Sequence, residues 1–179
     1  MKVALTGAQG TGKTTMAHYI AEKWGIPYIG SVARETMKEM GYTSEYDFNQ
    51  VSEGALLEFQ QALLVNRRAK FYGLQSYVTD RLELDQYVYS LRRCGAALSE
   101  SLRKQWEEEA IAELYAMDLV LHTPAGLFPV VEDGIRQADT AHQHLLDASI
   151  YGLLCKHAFD AGATNVYILS MESLTRRQS

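Results

Sequence analysis

The chain predicts an α/β fold, a five-stranded parallel sheet with helices on both faces. Three observations carry this expectation. Five short apolar runs recur along the 179 residues, separated by stretches with helical spacing. A glycine-rich turn at residues 7–14 sits between the first run and the first helical stretch. The composition, 47% hydrophobic and 22% charged, is that of an ordinary globular chain, and the length suits one core rather than two independent domains.

The elements follow in order. Val3-Ala4-Leu5-Thr6 is a short apolar run ending in glycine, as a buried parallel strand does. Thr14 to Trp24 places Met16, Ala17, Ile20, Ala21 and Trp24 at helical spacing, and Gly25 stops it. Pro27-Tyr28-Ile29 reads as a second strand. Residues 48–71 read as one long helix, with Phe48, Val51, Ala55, Leu56, Phe59, Leu63 and Leu64 on one face. Ser76 to Asp80 is the third strand, entered through Gly73, and Asp85 to Arg93 is helical. A helix over 99–116 opens at Ser99, a good N-cap. Leu119 to His122 is the fourth strand, stopped by Pro124. Residues 137–161 are helical up to Gly162, and Val166 to Leu169 is the fifth strand. In such sheets ligands sit at the carboxyl ends of the strands, which selects Gly7–Thr14, Asp80-Arg81 and the residues after His122.

Charge and cysteines narrow the function classes. A net charge of −5 counts against a protein that holds nucleic acid mainly by its phosphates. Cys94 and Cys155 are far apart and in no metal-ligand spacing, which suits two free thiols in a reducing compartment. The opening MKVALTG is no signal peptide, and no run approaches the ~20 apolar residues that span a bilayer. The expectation is a cytoplasmic enzyme without membrane contact. His142 and His144, two apart on a helix, point to different faces and make no zinc site. Glu107-Glu108-Glu109 reads as a solvated helix face.

Gly7-Ala8-Gln9-Gly10-Thr11-Gly12-Lys13-Thr14 matches G-x-x-x-x-G-K-[ST] at every defined position, after a strand and before a helix. Glycines let backbone N–H groups turn inward around phosphates, and the following helix adds a positive dipole end. Lys13 is placed to reach the β- and γ-phosphates of ATP, the Thr14 hydroxyl to hold Mg²⁺, and Thr15 completes the binding segment.

Asp80 and Arg81 end the third strand. A carboxylate there faces the γ-phosphate, where it binds Mg²⁺ or accepts the proton of an attacking hydroxyl, and the Arg81 fork suits phosphate charge. The competing reading is a helix cap beside a surface arginine. Gln60 carries the paired donor and acceptor that read a base edge, or belongs to an exposed helix face. Tyr42, Tyr46, Tyr87 and Tyr89 are able to stack on a base or simply to pack. Asp133-Gly134-Ile135-Arg136 offers a hinge and a mobile arginine, or an ordinary loop-to-helix entry.

The loop GAQGTGKTT, the segment VTDRLELDQYVY (78–89) and the segment VEDGIRQADTAHQHLLD (131–147) together resemble the nucleoside and nucleotide kinases that include the nicotinamide-riboside kinase domain of NadR-type proteins and small phage P-loop kinases. The resemblance spans residues 1 to about 169. It implies a P-loop NTPase three-layer sandwich with strand order 2-3-1-4-5 and a lid at about 124–140. It implies ATP and Mg²⁺, with Lys13, Asp80, Arg81 and Arg136 catalytic, and Thr14 and Asp80 on the metal. Arg34, which is equally readable as a solvated charge beside Glu35, and Asp85 of the Asp-Arg-x-x-x-Asp pattern fall on the acceptor side with Gln60. The chain departs from many relatives at Ala141-His142, where a second late-helix arginine is usual. The expected acceptor is a nucleoside or nucleoside monophosphate. Similar phage kinases imply an alternative, a hydroxymethylated pyrimidine in DNA, which is the only setting with a nucleic-acid partner. A third option is a P-loop ATPase or nucleotide switch without an acceptor, though no Asn-Lys-x-Asp guanine signature occurs. A homodimer stays an open option.

Overall fold

The computed structural model describes residues 1–127, 139–160 and 165–169. At its centre is β1 (Lys2–Thr6), flanked by β3 (Tyr77–Thr79) and β4 (Leu119–His122). β2 (Tyr28–Ile29) extends the sheet beyond β3, and β5 (Val166–Ile168) extends it beyond β4. All pairings are parallel and the order is 2-3-1-4-5, as expected. Parallel neighbours need crossovers, and helices supply them. These are α1 (Lys13–Trp24), α2 (Ala33–Glu39), α3 (Glu53–Phe71), α4 (Glu83–Cys94), α5 (Glu100–Ala116) and α6 (Thr140–Leu154). None is long and apolar enough to cross a membrane.

Strand alternation makes the layers. Val3 and Leu5 pack with Ala17, Ile20 and Ala21 of α1, while Ala4 joins the opposite cluster with Val88, Trp106 and Ile150. A third cluster, with Val32, Met37, Phe48, Phe59 and Leu63, lies between α2 and α3.

Four expectations change. The long helix over 48–71 is two pieces, a 3₁₀ segment Glu45–Gln50 and then α3. Ser52 divides them: its Oγ accepts from the Ala55 N–H at 3.2 Å, an N-cap in the middle of the apolar pattern. Phe48 nonetheless stays in the same core, 4.8 Å from Phe59 between ring centroids. The helix expected from Asp85 begins at Glu83, because the Asp85 carboxylate caps the Leu82 N–H at 2.9 Å. The acidic run is only partly solvated. Glu107 accepts from Tyr87 and Lys156, both at 3.1 Å, and Glu109 pairs with Arg68 at 2.6 Å. The late helix starts at Thr140, capped by Asp139, and passes after Leu154 into a π-helical turn, Cys155–Phe159. Its expected stop, Gly162, lies outside the described residues.

His122 ends β4 with 1% of its surface exposed, its Nε2 3.6 Å from Asp147 Oδ1 on α6. Burial pushes its imidazole below the ordinary 6.5, and the Lys13 ammonium acts in the same direction, while Asp147 and Asp85 oppose. The native state therefore favours neutral His122, and the unfolded chain binds more protons just below 6.5. Stability contributed here is present above that value and is lost as pH falls through it.

Two outcomes are expected. Leu5→Ala, at a fully buried central-strand position, should cost about 2–5 kcal/mol in denaturant unfolding. His122→Gln should flatten the loss of stability as pH falls below about 6.5, read from urea midpoints against the unsubstituted protein.

Candidate active site

The carboxyl ends of β1, β2 and β3 open into one cleft of about 450 Å³. Residues 9–15 form one side of it, where α1 starts directly from the loop. Gly7 stands at the loop's root with φ +136°, and a Cβ built there would lie 2.5 Å from the Thr123 carbonyl oxygen. Only glycine satisfies both constraints. Ala8 is fully buried beneath the loop. Lys13 is 5% exposed, and its Nζ donates to the Ala8 carbonyl and, at 3.0 Å, to Thr11 Oγ1. The ammonium is thus held within the curl of the loop.

Thr14 Oγ1 donates to Asp80 Oδ2 at 2.6 Å, and the Tyr28 hydroxyl donates to the same oxygen at 2.9 Å. The other oxygen, Asp80 Oδ1, is buried and has no hydrogen-bond partner among the described residues. Burial, reinforced by the Asp80 carboxylate, pushes the Tyr28 hydroxyl above its ordinary range, so it remains a donor. Tyr28 was not singled out from the sequence as a site residue. Its role is legible only once β2 lies beside β3.

Arg81 Nη1 donates to the Gly7 carbonyl at 2.9 Å, and its guanidinium lies 5.1 Å from the Tyr89 ring centroid. Asp85 lines the cleft, but its oxygens are engaged at the loop's root. Oδ1 accepts from Thr6 Oγ1 at 2.6 Å and from the Gly7 N–H at 3.1 Å, while Oδ2 takes the Leu82 N–H. This geometry anchors the strand–loop junction. The Tyr89 hydroxyl donates to Gln9 Oε1, joining α4 to the loop a second time.

Away from the loop the cleft is lined by a mixed wall, in which Val32, Met37, Phe59 and Leu63 are the apolar part. Gln86 supplies an amide in that wall. Gln60 is fully buried, and its Oε1 accepts from Gln86 Nε2 and from Ser90 Oγ at 3.3 Å. The side chain in the cleft wall is therefore Gln86, with Gln60 supporting it from α3. Arg34 stands at the exposed rim of the cleft. Arg93 and Arg67 also reach the wall, already paired with Glu45 at 3.1 Å and with Glu113 respectively. Of the tyrosines, Tyr89 enters the cleft, whereas Tyr42 packs on Phe48 and Phe59. Asp133, Gly134 and Arg136 lie outside the described residues, as does most of the expected lid. Among the described residues no group of three or more His, Cys, Asp or Glu side chains is arranged to hold a metal ion.

Known structures share this architecture. Deoxyadenosine kinase from M. mycoides, solved with dCMP and dCDP, matches over 99% of this chain and 95% of its own, at 14% identity and TM-score 0.66. Thymidylate kinase from Ehrlichia chaffeensis matches over 100% and 98%, at 15% identity and TM-score 0.56. NadR in complex with NR matches over 96% of this chain at 21% identity and TM-score 0.56, and the chain spans 46% of that protein's length. At these identities the likeness is one of fold, and the fold is that of small P-loop kinases. A family model described as AAA domain matches residues 2–171, nearly the whole chain and all five strands of the sheet. The chain belongs to that AAA domain family of P-loop proteins.

Proposed function

We propose that the protein is an ATP-dependent kinase that phosphorylates a hydroxyl or phosphate of a nucleoside or nucleoside monophosphate. One observation carries the reading. A single cleft holds both the phosphate loop and a separate wall of apolar side chains, an amide and arginines, with the buried Asp80 hydrogen bonded to Thr14 at the loop. A switch or ATPase has no need of the second wall. The apolar side chains beside the Gln86 amide suit a flat heteroaromatic ring.

Each residue has a task in this reading. Main-chain N–H groups of the loop hold the β- and γ-phosphates, and Lys13 exchanges its loop carbonyl for their oxygens. Thr14 and Asp80 would hold Mg²⁺, and the buried, unpartnered Asp80 Oδ1 fits a hard cation that prefers oxygen ligands. When bound, that ion neutralises charge on the phosphate oxygens. Transfer forms a bond from the acceptor oxygen to the γ-phosphorus and breaks the bond to the β–γ bridging oxygen, releasing ADP. Asp80 receives or directs the acceptor proton, and Arg81 faces the developing charge. Arg136 remains the proposed lid arginine. Arg34, at the rim, is proposed to meet the acceptor, with Asp85 holding the loop's root and Gln60 acting through Gln86.

The test is transfer of γ-labelled phosphate in the presence of Mg²⁺ to a panel of nucleosides, deoxynucleoside monophosphates and hydroxymethylated DNA. Label should appear on a nucleoside or monophosphate. Label on the modified DNA alone would move the assignment to the DNA-kinase alternative. Hydrolysis indifferent to every acceptor would assign an ATPase or switch. Lys13→Ala should lower kcat at least ~10²–10³-fold, the scale of one lost electrostatic donor. Asp80→Asn should lower kcat with a smaller change in KM for the acceptor.

A further inference from the structure

Gln143 lies on α6, 134 residues from the loop in sequence, and only 1% of it is exposed. Its Nε2 donates to the Gln9 carbonyl at 2.7 Å. The same nitrogen sits over the next residue, since a Cβ built on Gly10 would lie 3.3 Å from it. The Gln9 carbonyl and the Gly10 N–H belong to one peptide plane. No cis peptide bond occurs among the described residues, so the two groups point in opposite directions. A donor that fixes the carbonyl from outside the loop therefore aims the Gly10 N–H away from α6, toward the cleft that Gln9, Gly10 and Thr11 line.

We propose that Gln143 is a positioning residue for nucleotide binding, which orients the Gln9–Gly10 peptide so that its N–H is presented to a phosphate oxygen before nucleotide arrives. The inference rests on the reading of residues 7–14 as a nucleotide cradle and adds a residue from outside that loop. The neighbouring anchors do not substitute for it. Tyr89 holds the Gln9 side chain, and Lys13 and Thr11 engage the Ala8 carbonyl, so neither bond constrains the Gln9–Gly10 plane directly.

The experiment is calorimetric titration of the full chain with Mg²⁺ and a non-hydrolysable ATP analogue, with melting temperature measured in parallel. Gln143→Met keeps the length of the side chain and removes the donor. It should weaken the analogue about 5–10-fold, the scale of one hydrogen bond, while the ligand-free melting temperature changes by only a few degrees. Gln143→Glu supplies an internal control. Ionised, it opposes the Gln9 carbonyl; protonated, it regains a donor. Its affinity relative to the unsubstituted protein should therefore fall below that of the Met variant at about pH 8 and recover toward about pH 5. A purely structural role would instead lower the melting temperature in step with every loss of affinity, in the Met variant as in the Glu variant. Folded Met and Glu variants with unchanged affinity, or a Glu deficit independent of pH, would overturn the proposal and leave the kinase reading standing. Absence of binding by the unsubstituted protein would overturn both.

Discussion

The backbone of Gly7 is the constraint on which the rest of the site depends. Its N–H is held by Asp85, its carbonyl by Arg81, and the space where a side chain would stand is taken by the Thr123 carbonyl. Those groups come from the start of α4, the end of β3 and the end of β4. The loop's origin is thus fixed by elements that also build the sheet. A phosphate cradle works by presenting N–H groups whose orientation is settled in advance, because dipoles that need not reorganise stabilise charge most effectively. The burial of Asp85 at 1% exposure is tolerable because three donors satisfy it.

Charge in the cleft follows the same economy. Arg93 is paired with Glu45 and Arg67 with Glu113, so these arginines enter the wall with much of their charge compensated. Burial raises the Glu113 carboxyl, while the Arg67 guanidinium and the Glu83 N–H work against it, which ties the cleft floor to α5. Asp80 is different. One of its oxygens is shared by Thr14 and Tyr28, and the other is buried with no partner among the described residues. A desolvated carboxylate oxygen left in that condition is costly unless a cation or proton meets it. Asp80 is therefore a point in the cleft at which the electrostatics are incomplete, and it lies beside the loop.

Much of the fold was legible because strand and helix periods are local. The five strands fall where short apolar runs predicted them, within a residue or two at their ends. The break at Ser52 was missed because one capping serine is a weaker local signal than an apolar stripe that continues on both sides of it. In the site, the phosphate loop and Asp80 were readable, since the loop is a contiguous pattern and Asp80 ends a strand. Gln86 was missed, and Gln60 was left open between a base reader and an exposed helix face, because their order in the wall depends on how α3 packs on α4. Tyr28 and Gln143 carry no sequence signal of their own.

By itself the sequence determined a parallel α/β sheet, a phosphate loop at its centre and an acid–arginine pair at the end of a neighbouring strand. These depend on residues adjacent in the chain, whose backbone conformation is limited by local sterics and hydrogen bonding. Tertiary structure alone decided that Asp85 anchors the loop, that Tyr28 joins Asp80 and that Gln143 reaches Gln9. Those contacts are of hydrogen-bond length between groups tens of residues apart in sequence. Such distances are set by the packing of whole helices against the sheet, which no local pattern encodes.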